Sequence, residues 1–108
     1  MSSLSTHVLD VERGTPAVGV RVSLFRGQDR LAESHTGDNG RIADMGGGGL
    51  EPGAYRLVFD VGDYLTDQGR PAPFLQRVLV EFRVEADQAH YHVPLLMTPY
   101  ACTTYRGA

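Results

Sequence analysis

The 108-residue sequence has no tryptophan, one cysteine and no lysine, so all ten of its basic side chains are arginine. One cysteine excludes a disulfide within the chain and any metal site that needs two cysteines from one chain. The absence of lysine excludes Schiff-base catalysis and the phosphate-binding lysine of a P-loop. Arginine still permits anion recognition through its planar, permanently charged guanidinium. We expect Cys102 to be a small buried hydrophobic side chain and not a nucleophile.

Long apolar runs and basic stretches are also missing. No run approaches the roughly 18 residues of a membrane span, and the four residues before the first patterned segment are too few for a signal peptide. The arginines are scattered and the net charge is −3, so the basic stripe that nucleic-acid binding requires is absent. The sequence therefore predicts a cytoplasmic protein that acts on a small molecule or another protein, and not on nucleic acid or a membrane.

The pattern that is present is that of a β-protein. The length fits a single domain over residues 1–108, and a hydrophobic fraction of 42% is enough to form a core. Period-two alternation predicts three clear strands and four weaker ones. One short helix is predicted at residues 62–69. Together these elements favour an all-β fold, an antiparallel β-sandwich of two sheets with one short helix. The clear strands are 20–26, 55–61 and 77–84, and the weaker ones are 5–10, 30–36, 89–97 and 103–106.

Two glycine-containing segments separate predicted strands. Asn39-Gly40 predicts a tight hairpin turn, because both residue types tolerate a positive φ. Arg41 follows directly and is expected to leave the end of that hairpin. The run Gly46 to Gly49 predicts a loop, since four glycines provide no side chains to pack.

The histidines allow three interpretations. His90 and His92 flank one residue, so in a strand they project from the same face, and His7 lies in the first strand. They could be ordinary polar side chains. They could bind a metal ion through His7, His90 and His92. They could also catalyse hydrolysis, with imidazole as general base and a guanidinium that stabilises an oxyanion. The spacing alone does not decide among these three, and His35 is expected to be an exposed surface residue.

Several motifs together resemble one family, the transthyretin-like 5-hydroxyisourate hydrolases. The resemblance runs from about residue 4 to the C-terminus and is carried by the opening Ser5-Thr6-His7-Val8-Leu9-Asp10, the central Glu51-Pro52-Gly53-Ala54-Tyr55-Arg56, the segment His90-Tyr91-His92-Val93-Pro94-Leu95-Leu96, and the final Tyr105-Arg106-Gly107-Ala108. It implies a transthyretin fold and a homotetramer, a dimer of dimers with active sites in the channel between the dimers. It also implies hydrolysis of 5-hydroxyisourate to 2-oxo-4-hydroxy-4-carboxy-5-ureidoimidazoline in urate breakdown, without a metal or organic cofactor.

The resemblance also assigns site residues. It implies that His7, Arg41 and His92 are catalytic, without showing which histidine is the general base, and that the tetrapeptide Tyr105 to Ala108 (Tyr105, Arg106, Gly107, Ala108) shapes the substrate pocket. The hormone-carrying transthyretins resemble the chain less at the three catalytic positions. A small-ligand carrier and a histidine-based metal-binding sandwich remain the alternatives. Ala108 replaces the serine that usually ends the family motif, which predicts a slower or differently tuned enzyme and not an inactive one.

Overall fold

The computed structural model describes all 108 residues as two packed β-sheets with one short helix. The elements are β1 (Ser3–Asp10), β2 (Thr15–Pro16), β3 (Arg21–Arg26), β4 (Asp29–His35), β5 (Arg41–Ile42), β6 (Gly53–Phe59), α1 (Val61–Asp67), β7 (Val78–Val84), β8 (His90–His92), β9 (Leu95–Met97) and β10 (Cys102–Thr104). The six-stranded sheet has the order β10-β9-β1-β2, and β5 and β8 also pair with β1. The four-stranded sheet has the order β4-β3-β6-β7. The predicted two-sheet sandwich is therefore confirmed.

Alternation along the strands builds the core between the sheets. In β1 the even-numbered residues are buried and the odd-numbered residues are only half-buried, as expected for a strand with one face on the core. A cluster of 20 buried hydrophobic residues fills the interior. The edge strand β7 is less covered, because Val80 and Phe82 are half-buried and Leu79 on its other face is exposed. The helix α1 has seven residues. A membrane-spanning helix needs about 20 consecutive apolar residues, and the structure contains no such helix.

The centre of the six-stranded sheet is not purely antiparallel. β1 runs parallel to β8, with Ser5 opposite His92, and parallel to β9, with Leu9 opposite Leu96. This sheet is therefore mixed, which refines the expected antiparallel sandwich. The strand predicted over residues 89–97 is divided into β8 and β9. Pro94 lies at the division, and proline has no N–H to donate to a sheet.

The Asn39-Gly40 turn does not form the predicted hairpin. The preceding strand β4 belongs to the four-stranded sheet, whereas β5 pairs with β1 in the other sheet, so the turn carries the chain between sheets. Only Gly40 has a positive φ, of 76°. A Cβ at Gly40 would lie 2.6 Å from the carbonyl oxygen of Val8, so only glycine fits this close approach to β1.

Cys102 is exposed, so the expectation of a buried side chain was wrong. All three residues of β10 are exposed, because this strand is the outer strand of its sheet and pairs only with β9. His35 is exposed, as predicted.

A buried ion pair holds the end of β1. The Asp10 side chain is fully buried, and it accepts hydrogen bonds from Arg70 Nη1 at 2.6 Å, Tyr64 Oη at 2.8 Å and the Arg13 backbone N–H at 3.1 Å. A buried carboxylate needs such partners to offset its desolvation. The pair ties β1 to the helix and to the segment that follows it.

Candidate active site

The outward face of β1 provides one wall of the site. Ser3, Ser5 and His7 alternate with buried residues such as Leu4 and Val8 and remain half-exposed. Because the side-chain period of a strand is two, these three polar side chains line up on one face of the six-stranded sheet. The strands on either side of β1 bring further polar side chains to this face.

Arg41 lies beside His7 because β5 pairs with β1. The two residues are directly opposite each other in the antiparallel register, and such cross-strand neighbours have their Cβ atoms about 5 Å apart. The turn that precedes Arg41 is fixed to β1 by a 2.8 Å hydrogen bond from Val8 N–H to the Gly40 carbonyl. The exposed Arg41 side chain belongs to none of the ion pairs in the molecule. Its charge is therefore available to an incoming oxygen.

His90 and His92 enter the site from β8. Both project from the same face of the strand, as predicted, while Tyr91 between them is buried on the other face. Ser5 lies opposite His92 in the parallel register, and its Oγ is 2.8 Å from His92 Nδ1. This hydrogen bond fixes the imidazole ring and leaves Nε2 as the nitrogen that can face a ligand.

Burial and the cluster's positive charges lower the pKa of both predicted catalytic histidines. For His7, desolvation is the larger cause and the Arg41 charge the second, while a backbone hydrogen bond at Asn39 acts in the opposite direction. For His92, desolvation again comes first, followed by Arg41, His7 and His90. A pKa below the ordinary value of 6.5 keeps both imidazoles neutral near pH 7. Neutral imidazoles can accept a proton from water.

The C-terminal tail reaches the site through Gly107. Its backbone N–H donates a 2.7 Å hydrogen bond to the His92 carbonyl, and the two residues form an isolated antiparallel bridge. A Cβ on Gly107 would lie 2.6 Å from His92 Cδ2, so glycine allows the tail to pack directly on the ring. Ala108 follows and is exposed.

Tyr105 and Arg106 lie on a different surface of the single chain. The Arg106 guanidinium stacks 4.8 Å from the Tyr91 ring centroid, on the face of β8 opposite to His92. Both residues line an apolar cavity of about 230 Å³ with Val80 and Phe82 of β7. Within one chain the structure therefore brings together His7, Arg41, His92 and Gly107, and it places Tyr105 and Arg106 apart from them.

Ser5 was not among the predicted site residues, and His90 was predicted only as a ligand of the alternative metal site. Ser5 Oγ lies 2.9 Å from His90 Nε2 as well as 2.8 Å from His92 Nδ1, so it joins the two imidazoles. The alternation of β1, which puts Ser5 on the same face as His7, was a signal that could have identified it. No group of three or more His, Cys, Asp or Glu side chains is placed to share one metal ion.

The fold and the site define a class: a β-sandwich with a polar site on one sheet face, suited to acid–base chemistry on a small polar molecule. The family model described as HIUase/Transthyretin family matches residues 4–107. The chain therefore belongs to the HIUase/transthyretin family.

Similar proteins lie on both functional branches of this family. A 5-hydroxyisourate hydrolase of Caulobacter vibrioides is 45% identical over 115 aligned residues, which cover 100% of both chains. The solved structure of Klebsiella pneumoniae 5-hydroxyisourate hydrolase has a TM-score of 0.93 and 41% identity, with 100% of both chains covered. Sea bream transthyretin, solved in complex with thyroxine, has a TM-score of 0.86 and 29% identity, with 97% of this chain and 94% of that chain covered.

Proposed function

We propose that the protein hydrolyses 5-hydroxyisourate and so takes part in urate breakdown. The observation that carries this proposal is the cluster itself: two imidazoles of lowered pKa, His7 and His92, on one sheet face with the unpaired guanidinium of Arg41. Hydrolysis at a ring carbonyl needs a base for water and a positive group for the oxyanion. The full-length similarity to proteins named for this reaction supplies the substrate.

In the proposed mechanism His92 Nε2 removes a proton from water, which attacks the ring carbonyl carbon. The Arg41 guanidinium binds the carbonyl oxygen and stabilises the negative charge that develops there. The carbon–nitrogen bond of the ring then breaks, and an imidazolium returns the proton to the leaving nitrogen. His7, opposite Arg41 in the register, orients the substrate. No serine or cysteine nucleophile takes part.

The test follows the ultraviolet decay of freshly prepared 5-hydroxyisourate with wild-type protein and with His92→Asn. Asparagine retains a group near the Nδ1 position but has no counterpart of Nε2. We expect wild type to accelerate the decay and the variant to lose about 10²–10⁴-fold, the usual contribution of acid–base catalysis. His35→Asn, in the other sheet and exposed, is the matched control and should retain activity. Decay at the spontaneous rate with wild type contradicts the proposal.

We further propose that four chains assemble as a dimer of dimers, with the sites in the channel between the dimers. The support is the amount of exposed apolar and aromatic surface: Leu79 is 54%, Tyr100 65% and Tyr105 55% exposed, and the outer strands β7 and β10 each pair with only one neighbour. Open strand edges and apolar patches of this kind mark association surfaces. Tyr105 and Arg106 would then shape pockets in the assembly. Elution as a monomer at micromolar concentration contradicts this architecture.

A cytoplasmic location is part of the same proposal. It is supported by the exposed free thiol of Cys102, since reducing compartments keep such thiols reduced. Cell fractionation with an antibody to the protein tests it, and recovery in an extracytoplasmic fraction contradicts it.

A further inference from the structure

A continuous hydrogen-bonded row runs outward from His92 along β1 and β8. Ser5 Oγ is 2.8 Å from His92 Nδ1 and 2.9 Å from His90 Nε2, and Ser3 Oγ is 2.5 Å from His90 Nδ1. Ser3 Oγ also reaches the Ala89 carbonyl at 3.4 Å. The parallel register pairs Ser3 with His90 and Ser5 with His92, so the sheet itself sets this alternation of hydroxyl and imidazole.

With both histidines neutral and the Ser5 hydroxyl donating within the row, two arrangements of the protons are possible. A serine hydroxyl donates one hydrogen bond and has two acceptor lone pairs. The two histidine nitrogens are the only hydrogen-bond partners of Ser5 Oγ, so the hydroxyl is satisfied as a donor only when it donates to one histidine and accepts from the other. If Ser5 donates to His92, the His92 proton lies on Nε2 and no base faces the substrate. If Ser5 donates to His90, then His92 Nδ1–H donates to Ser5 and Nε2 keeps its lone pair. In the second arrangement His90 Nδ1–H donates to Ser3, and the Ser3 hydroxyl donates to the Ala89 carbonyl.

We propose that Ser5 and His90 are positioning residues that hold His92 in its basic tautomer and carry its excess proton away from the substrate. This inference rests on the hydrolytic function proposed above. When His92 Nε2 takes a proton from water, the Nδ1 proton passes to Ser5 Oγ while the Ser5 hydroxyl proton passes to His90 Nε2. The result is a neutral His92, a neutral Ser5 and a His90 imidazolium. The reverse transfer returns the proton to His92, which protonates the leaving nitrogen.

Electrostatics favours His90 as the place for this charge. An imidazolium at His92 is half-buried and faces the positive charge of Arg41, together with His7 on the neighbouring strand. His90 is exposed at the other end of the row, where water solvates a charge more easily. Transfer of the proton from His92 through Ser5 to His90 therefore lowers the repulsion between the imidazolium and Arg41. This happens while the oxyanion forms beside Arg41.

The test uses steady-state kinetics on 5-hydroxyisourate with Ser5→Ala and His90→Gln. The glutamine amide can still hydrogen-bond Ser5, but it cannot accept a proton, so it separates proton transfer from orientation. We expect kcat to fall about tenfold or more in both variants, a part of the 10²–10⁴-fold typical of acid–base catalysis, with KM nearly unchanged. Ser5→Thr, which keeps the hydroxyl, should retain most of the wild-type kcat.

Matched controls are available in the other sheet. Ser34 is half-buried in β4 and His35 beside it is exposed, so Ser34→Ala and His35→Gln should retain wild-type kcat. Circular dichroism establishes that each variant is folded. As a second readout, nitrogen-15 NMR should show the His92 proton on Nδ1 in wild type and a shift toward Nε2 in Ser5→Ala.

The outcomes separate the two proposals. If wild type does not accelerate the decay, the hydrolytic function itself is wrong. If wild type is active and folded His90→Gln keeps wild-type kcat, the proton transfer to His90 is wrong. If folded Ser5→Ala also keeps wild-type kcat and the wild-type His92 tautomer, the positioning role is wrong.

Discussion

Replacement of Arg70 by methionine removes the guanidinium that faces the buried Asp10 carboxylate. The Arg70 side chain is 13% exposed and the Asp10 side chain 0%, so the carboxylate cannot turn to water when its partner is lost. Removal of one partner from a buried ion pair costs about 3–5 kcal/mol. Tyr64 and the Arg13 N–H still donate to Asp10. We therefore expect the free energy of unfolding to fall by about 2–4 kcal/mol.

This loss converts to a measurable shift in melting temperature. At about 2.1 cal/mol/K per residue, a chain of 108 residues has an unfolding entropy of about 230 cal/mol/K, so Tm should fall by about 9–17 °C. Urea and thermal unfolding followed by circular dichroism measure both quantities. Protein concentrations are kept equal, because the proposed assembly would stabilise the folded chain in a concentration-dependent way. The control is Arg30→Met, whose ion pair with Glu33 is exposed and should contribute at most about 1 kcal/mol.

The pH dependence gives a second, independent check. Burial alone would raise the pKa of Asp10, but the hydrogen bonds from Arg70, Tyr64 and the Arg13 N–H outweigh it and lower the pKa below 3.8. A lowered carboxyl pKa contributes stability above the unfolded pKa, and this stability is lost as pH falls through the folded value. The difference in free energy of unfolding between wild type and Arg70→Met should therefore become smaller from pH 6 to pH 3. A difference below about 1 kcal/mol at pH 6, or one that stays constant with pH, would refute the stabilising role of the Asp10–Arg70 pair.

Three further changes test the site directly. Arg41→Gln should lower kcat by about 10²–10³-fold. It should also move the acid limb of kcat/KM to higher pH, because the Arg41 charge adds to burial in lowering the pKa of His7 and His92; an unmoved limb contradicts this. Gly107→Ala puts a Cβ 2.6 Å from His92 Cδ2 and should lower kcat/KM at least about tenfold, with Tm nearly unchanged; wild-type kinetics would show that the tail is not packed on the ring. Ala108→Ser should raise kcat/KM by about two- to tenfold, because its hydroxyl can hydrogen-bond the substrate or water. A lower kcat/KM in steady-state kinetics would contradict this role for a hydroxyl at position 108.

Strand alternation predicted the architecture well because it is a local property. The clear strands correspond to β3, β6 and β7, and the predicted helix overlaps α1. Strand direction was not predictable in the same way, because alternation does not show whether a partner some 87 residues away runs parallel or antiparallel. The two-residue strands β2 and β5 are too short to show any period. Cys102 was mispredicted because its residue type favours burial, whereas its edge strand is exposed.

The site was predictable in part. The motif resemblance placed His7, Arg41 and His92 together, and the structure places them on one sheet face. The role of each side chain stays a prediction. The ion pair between Asp10 and Arg70 was missed because its partners are 60 positions apart. One signal was present in the sequence: the alternation of β1 turns Asp10 toward the core, and a buried carboxylate requires a partner.

The central position of β1 has a consequence for the order in which the molecule forms. Its parallel partners β8 and β9 lie at residues 90–97, so during synthesis β1 leaves the ribosome well before the strands that pair with this edge. Until then one edge of β1 is unpaired, and such edges pair readily with other chains. Contacts of long sequence separation also form slowly. His7 and His92 are therefore brought together late in folding, when β1 pairs with β8. The rate at which activity returns during refolding would measure how fast these two strands pair.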